Sequence, residues 1–197
     1  MKKIFMVIRK ITVPPIFAMA FLIVIYFMKP YIFTSVGQLI CGIFFLGILP
    51  LLGYPLQKYI PYFKEKGREG QRSLAMIFSV AGYLLGTFIV FIKRASSELC
   101  IIYLEYLFSG IIMLLFNRAF HLKASGHACG ITAPVLLSVY FSMFIPAVIG
   151  GLLVIPVLVS SIQTKRHTMP QLLGGCMISA VCLVIIKYLG IFIFPLK

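Results

Sequence analysis

Long apolar runs separated by short polar stretches extend along most of the chain. A helix rises about 1.5 Å per residue and the bilayer core is about 30 Å thick, so runs of this length are typical of membrane-spanning helices. The pattern predicts such helices and leaves no room for a soluble module. The clearest runs are residues 12–28, 30–57, 73–92, 101–117 and 169–195.

One further run, residues 128–164, is too long to be a single span. Its 37 residues contain no Lys, Arg, Asp, Glu or His. As one helix it would be about 55 Å long, almost twice the thickness of the bilayer core. It is therefore expected to form two shorter spans that fold back on each other near Pro146 or near Gly150 and Gly151. The total is seven spans, or six if this pair is partly re-entrant.

Composition supports the same architecture. The 197 residues are 61% hydrophobic and 11% charged, with a mean hydropathy of +1.09. Soluble domains are about 25% charged. The first apolar run follows basic residues, as in a signal peptide, but no small-residue cleavage site follows it, so we expect a retained first span. The prediction is one all-α, multi-pass integral-membrane domain, a polytopic transmembrane helix bundle over residues 1–197.

The charge balance limits the chemistry. Lys and Arg number 18, whereas the four acidic residues are all glutamates and no aspartate is present. Enzymes that hold Mg²⁺ through several carboxylates, such as Asp-rich prenyltransferases and alcohol phosphotransferases, are therefore disfavoured, because hard cations need oxygen ligands. We expect no metal and no cofactor, and phosphate chemistry would depend on cationic side chains. The five cysteines lack metal-ligand spacing and are expected to be free thiols.

Three polar segments carry the candidate chemistry. They are residues 57–72, 118–127 and 160–167, which the predicted spans place as loops on one side of the membrane. These loops hold all three histidines and, with the N-terminus, most of the cations. The positive-inside rule would put them in the cytoplasm, although cations retained for phosphate binding would bias that count in the same way.

The residue types in these loops suit phosphoryl transfer without a metal. An imidazole can attack phosphorus or donate a proton to a leaving oxygen, and Lys or Arg can stabilise the transition-state charge. Ser125 and Gly126, at the start of a span, can offer a hydroxyl and helix N-terminal N–H groups to a phosphate. His167 and Gln171 are four residues apart, so the amide can fix the tautomer of the ring. Glu105, an acid at membrane depth, is expected to have a partner.

Three short motifs resemble the signatures of the type 2 phosphatidic acid phosphatase superfamily. Those signatures are Lys-x6-Arg-Pro, Pro-Ser-Gly-His and Ser-Arg-x5-His-x3-Asp. "KEKGREGQRS" is similar to the first, "KASGH" to the second and "SSIQTKRHTMPQ" to the third, over residues 64–175. Five positions differ from the family pattern. Glu65 stands in place of the lysine of the first motif, with Lys64 and Lys66 on either side of it. The others are Ser73 and Ala124 in place of prolines, Ser161 in place of the arginine and Gln171 in place of the aspartate.

The resemblance implies a role for each matched residue. His167 would be the nucleophile that forms a phosphohistidine, and His127 would protonate the leaving alcohol. Gln171 would orient His167. The phosphate-binding residues would be Arg72, Lys123, Ser125 and Gly126, with Lys165 or Arg166 replacing the missing arginine.

The resulting hypothesis is a metal-independent phosphatase that acts on a membrane lipid phosphate or a polyprenyl or other lipid diphosphate. Two alternatives remain. One is a catalytically weak or inactive protein of the same fold that binds or moves anionic lipids, and the other is a lipid phosphotransferase. The expected partners are the lipid substrate and the bilayer, with no nucleic acid. The expected location is the cell (inner) membrane.

Overall fold

The computed structural model describes residues 11–118 and 123–193, and these residues fold almost entirely into helices. The second helix is continuous through a π-helical segment, Ile43–Ile48, and ends in a 3-10 turn, Gln57–Tyr59. The helices are α1 (Pro14–Met28), α2 (Val36–Tyr59), α3 (Pro61–Glu65), α4 (Gly67–Ile92), α5 (Ser97–Arg118), α6 (Gly126–Tyr140), α7 (Phe144–Gln163) and α8 (Met169–Ile193).

The apolar helices confirm the prediction of an all-α polytopic membrane bundle. Within the described residues, α2, α4, α5, α7 and α8 are long and apolar enough to cross a membrane, and α1 and α6 are shorter apolar helices of 15 residues. Together they match the seven predicted apolar segments. Many large hydrophobic side chains on these helices face outwards, as expected for a surface in contact with lipid.

The helix α5 lies at the centre of the bundle. More than half of the residues in its apolar stretch are buried, which is the largest share among the candidate spans of the described residues. It packs against α4, α6 and α8, while α2 packs on α4 and α7 packs on α6. Leu99, Ile102 and Tyr103 of α5 are completely buried. Ser96 caps the start of α5 through its Oγ, which accepts from the Leu99 N–H at 3.2 Å.

The turn within residues 128–164 lies earlier than predicted. The chain reverses at residues 141–143, between α6 and α7, rather than near Pro146 or the glycine pair. Pro146 is the third residue of α7, and a proline is tolerated there because N–H groups in the first turn of a helix have no intrahelical partner. The reversal instead uses Ser142 in a left-handed conformation with φ of 56°.

One of the predicted polar loops, residues 57–72, is largely helical, and another, residues 160–167, is helical over its first half. Residues 61–65 form α3, and α4 already begins at Gly67, so Arg72 lies in the second turn of a helix and not in a loop. Arg, Glu and Gln are good helix formers, which explains why α4 extends beyond its apolar run. Likewise α7 continues to Gln163, and the connection before α8 is only residues 164–168.

The closest helix approach near the histidine motifs is between α6 and α8. A Cβ on Gly175 of α8 would overlap the carbonyl oxygen of Ser125 and lie 3.1 Å from the Cβ of Ala128. Only a residue without a side chain lets the two backbones come this close. Gly175 therefore brings the start of α6 against the first turns of α8.

We predict that Gly175→Ala destabilises the protein by about 1–3 kcal/mol, because the added methyl overpacks a backbone contact. Thermal unfolding in detergent measures the change. Gly151→Ala is the matched control, since a Cβ there has no neighbour within 4 Å. It should be neutral or slightly stabilising, because alanine favours helix over glycine. Equal behaviour of the two variants would contradict the close approach of α6 and α8.

Candidate functional site

The start of α8 is organised by the side chain of Gln171. Its Oε1 accepts a hydrogen bond from the backbone N–H of Thr168 at 3.3 Å, and Thr168 directly precedes the helix. Gln171 is the third residue of α8, so this contact is half of a capping box, with Pro170 in a first-turn position that suits proline. Gln171 thereby holds the residues before α8 in a defined geometry.

The same oxygen sets the tautomer of His167. Nδ1 of His167 lies 3.1 Å from Oε1 of Gln171, which confirms the predicted contact between these two side chains. A backbone N–H can only donate, so the Thr168 contact assigns the acceptor end of the amide to this position. Nδ1 therefore carries the proton in the neutral ring, and Nε2 holds the lone pair. That tautomer makes Nε2 the nucleophilic nitrogen.

The start of α6 contacts α8 directly. The backbone N–H of Ser125 donates to the carbonyl oxygen of Gln171 at 2.9 Å. The Ser125 side chain is fully buried and caps α6, because its Oγ accepts from the Ala128 N–H at 3.3 Å. The second and third motifs are thus joined by a backbone hydrogen bond and by the packing at Gly175.

Gly126 and His127 are the first two residues of α6. His127 is half-buried, and its Nε2 is shielded from solvent. The first turn of a helix directs N–H groups outwards and carries a partial positive charge, which favours anions. Both residues therefore lie at the end of α6 that faces the start of α8, and His127 belongs to the helix and not to the predicted loop of residues 118–127.

Two of the cations near the histidines lie in the turn that follows α7. Lys165 and Arg166 form a Schellman turn: the backbone N–H of Lys165 donates to the Ile162 carbonyl at 2.8 Å and that of Arg166 to the Ser161 carbonyl at 3.0 Å. Lys165 adopts a left-handed φ of 53°, and both side chains are exposed.

Arg72 and Lys123 are also exposed, but they differ in position. Lys123 comes two residues before Ser125. Arg72 lies near the start of α4, where Gln71 donates to the Tyr54 carbonyl of α2 at 3.3 Å. The helix α4 packs mainly on α2, α3 and α5. The hydrogen bond that joins Ser125 to Gln171 therefore does not involve the helix that carries Arg72. The third histidine, His121, lies outside the described residues.

A buried carboxyl ties α8 to the central helix. Glu105 of α5 is completely buried, and its Oε1 accepts from Ser109 at 3.0 Å and from Ser179 of α8 at 2.8 Å. The expectation that this acid has a partner is confirmed. A hydrogen bond between helices inside a membrane contributes about 0.6 kcal/mol on average and fixes their relative position. It holds the helix that begins next to His167.

Comparison of the chain with protein-family models, with curated proteins and with solved structures found no match. Within residues 11–118 and 123–193, no three His, Cys, Asp or Glu side chains are grouped as metal ligands would be. The five cysteines are free thiols, as expected.

Three contacts at the site were not predicted from the sequence. The capping box had a readable signal, because Thr168 followed by Gln171 three residues later fits its pattern. The contact of Ser179 with Glu105 had no readable signal, since a serine in an apolar run is compatible with many environments. The backbone bond between Ser125 and Gln171 also had none, because every residue except proline carries the same N–H and C=O groups.

We predict that Lys165→Gly raises the free energy of unfolding by about 1 kcal/mol, because glycine adopts the left-handed conformation without the steric cost of a Cβ. Chemical denaturation in detergent measures it. Arg94→Gly is the control, since Arg94 ends α4 in the same kind of turn with φ of 48°. Both glycine variants should be stabilised. If only the Arg94 variant is stabilised and the Lys165 variant is destabilised, the prediction fails, because the Lys165 side chain then makes a contact that contributes more than the strain costs.

Proposed function

We propose that the protein is a metal-independent phosphatase for a phosphate or diphosphate group carried by a membrane lipid. The observation that carries the proposal is the backbone hydrogen bond between Ser125 and Gln171, 2.9 Å long. It brings the Ser-Gly-His start of α6 against the residues that hold His167. These are the two segments with the strongest resemblance to the type 2 phosphatidic acid phosphatases.

The first chemical step uses His167 as the nucleophile. Nε2 attacks phosphorus while Nδ1 stays hydrogen-bonded to Gln171, so a P–N bond forms as the P–O bond to the leaving group breaks. The leaving group is the lipid alcohol for a monophosphate and the lipid monophosphate for a diphosphate, and His127 donates a proton to its departing oxygen. Water then attacks the phosphohistidine and gives a proton back to His127, the P–N bond breaks, and inorganic phosphate leaves. Two displacements at phosphorus thus release the leaving group and one phosphate.

Charge stabilisation would come from the start of α6 and from the cations around it. In the transition state, preorganised N–H groups and cationic side chains stabilise the negative charge on the phosphoryl oxygens. Gly126 at the start of α6 and the side chains of Lys123, Lys165 and Arg166 are suited to this role. In this proposal Arg72 reaches the phosphate from α4, and the Ser125 hydroxyl can donate while its oxygen caps α6.

The location of the two segments suits a lipid substrate. α4, α6 and α8 each begin after a short connection from an antiparallel neighbour, so their first turns lie at the same end of the bundle. A headgroup at that boundary can reach the site while its tails stay in the bilayer. We propose the cell (inner) membrane as its location.

A second candidate is a protein of this fold that binds or moves anionic lipids without hydrolysing them. Two observations favour it: Gln171 is an amide and not a carboxylate, and the Ser125 side chain is fully buried as a helix cap. An amide stabilises a developing imidazolium less than a carboxylate does. In serine proteases, replacing the corresponding aspartate by asparagine lowers kcat about 10⁴-fold.

We predict that His167→Ala and His127→Ala each abolish phosphate release from a lipid-phosphate panel assayed in detergent micelles. Loss of the nucleophile or of the acid should lower the rate by at least about 100-fold. EDTA should leave the wild-type rate unchanged, because the proposed steps use only side chains of this chain. His167→Gln is a useful companion, since it retains polarity without the nucleophilic ring.

Unfolding temperatures of the variants serve as the control for folding. Wild-type rates in either folded alanine variant would overturn the assigned chemistry, and strict dependence on Mg²⁺ would point to another site. A wild-type protein that retains lipid phosphates without releasing phosphate would favour the binding alternative. Transfer of labelled phosphate to a lipid acceptor would favour the phosphotransferase.

We further predict that Gln171→Asp retains or raises activity. The aspartate carboxylate is also an acceptor, on a side chain one methylene shorter, and its charge stabilises the imidazolium. Steady-state kcat and KM for the same lipid phosphate provide the measurement. Gln171→Leu, which removes the acceptor at similar volume, should lower kcat. An inactive but stable aspartate variant would show that this chain uses a different geometry.

A further inference from the structure

A second basic feature lies at the turn that joins α2 to α4. Residues 57–66 carry three exposed lysines, and Tyr59 and Tyr62 are 70% and 61% exposed. From residue 57 to residue 72 the chain has five cations against two glutamates. The lysines are Lys58, Lys64 and Lys66.

The turn forms an open groove of about 450 Å³. Two ammonium groups and one phenol line it, together with a proline ring and a single carboxylate. These groups offer several hydrogen-bond donors and a net positive charge, which suits an anion with an attached apolar portion. The lining residues are Lys58, Tyr59, Pro61, Lys64 and Glu65.

The shape of this turn is fixed by hydrogen bonds within it. The Gln57 amide donates to the Phe63 carbonyl at 2.7 Å and to the Gly67 carbonyl at 3.1 Å. The absence of a side chain at Gly70 lets the Phe63 backbone lie directly against α4. The groove is therefore formed before any ligand binds, which reduces the entropy lost on binding.

The aromatic rings of the turn are paired with its cations. The Lys66 ammonium lies 3.9 Å from the centre of the Tyr62 ring and donates to its hydroxyl at 2.6 Å, and the Lys58 ammonium lies 4.8 Å from the Tyr59 ring. Tyrosines and lysines together are typical of the boundary between hydrocarbon and water. The turn lies at such a boundary, since it connects the candidate spans Val36–Tyr59 and Gly67–Ile92.

We propose that this groove binds the headgroup of an anionic phospholipid from the surrounding bilayer. The lysines contact the phosphate, and the exposed tyrosine rings pack beside the glycerol region. Bilayer lipids present negative headgroups at this depth, so the charge of the groove and its position both match this ligand. Neither Lys58 nor Lys64 belongs to the phosphate-binding set proposed around His127 and His167.

The test compares retention of phosphatidylglycerol and phosphatidylcholine by the purified full-length chain, measured by native mass spectrometry during lipid titration. The wild type should retain phosphatidylglycerol more strongly. In Lys58→Gln/Lys64→Gln its apparent affinity should fall about thirtyfold, equivalent to about 2 kcal/mol for two lysines near a charged surface.

The matched control is Lys93→Gln/Arg94→Gln, which removes two exposed cations at the opposite end of α4. It should change the affinity less than twofold. Equal retention of the two lipids, an unchanged Lys58/Lys64 variant, or an equal loss in both variants would overturn the proposal. Full displacement of phosphatidylglycerol by millimolar inorganic phosphate would also overturn it, because the groove would then select a free anion.

Discussion

The close approach of α6 and α8 at Gly175 is the contact on which the candidate site depends. It allows the Ser125 N–H to reach the Gln171 carbonyl, and only then do the starts of the two helices become neighbours. A bulkier residue at Gly175 would separate the helices and break this bond together with the alignment of the two histidine motifs. Ser125 is completely buried, so its N–H would have no solvent to replace the lost partner.

Gln171 joins local structure to the proposed chemistry through one oxygen atom. The same Oε1 caps α8, orients His167 and selects the ring tautomer. The backbone carbonyl of Gln171 accepts the hydrogen bond from Ser125 at the start of α6. Further along α8, Ser179 is tied to Glu105 at the centre of the bundle. The helix that begins beside His167 is thus held at two levels, two helical turns apart, which restricts sliding and rotation of α8 against α5 and α6.

Much of this fold could be predicted from the sequence, because apolar run length and hydrogen-bond need determine where membrane helices form. The seven apolar segments follow from such rules. The contact of His167 with Gln171 was predictable from their four-residue spacing, although His167 lies just before α8 and not within it. The turn before α7 could not be placed, since proline breaks a helix interior but is compatible with a first turn, and Pro146 falls in the latter. The polar stretch around Arg72 predicts a loop, but Arg72 lies in α4 because its neighbours are good helix formers. The pairing of Ser125 with Gln171 depends on backbone groups, which leave no trace in a sequence.

Three helices of the chain end at a residue in the strained left-handed conformation. α4, α6 and α7 all end in the same Schellman arrangement, with Arg94, Ser142 and Lys165 in the left-handed position that usually holds glycine. Each left-handed residue costs about 1–2 kcal/mol. Because this strain occurs at three helix ends, its presence at Lys165 does not by itself indicate an active site. Arg94 and Ser142 end helices at the side away from the histidines. What distinguishes Lys165 is its position two residues before His167, where the left-handed turn redirects the chain from α7 into the segment capped by Gln171. The turn therefore contributes to the site through the path of the backbone, and it does so whether or not the lysine charge takes part in phosphate binding.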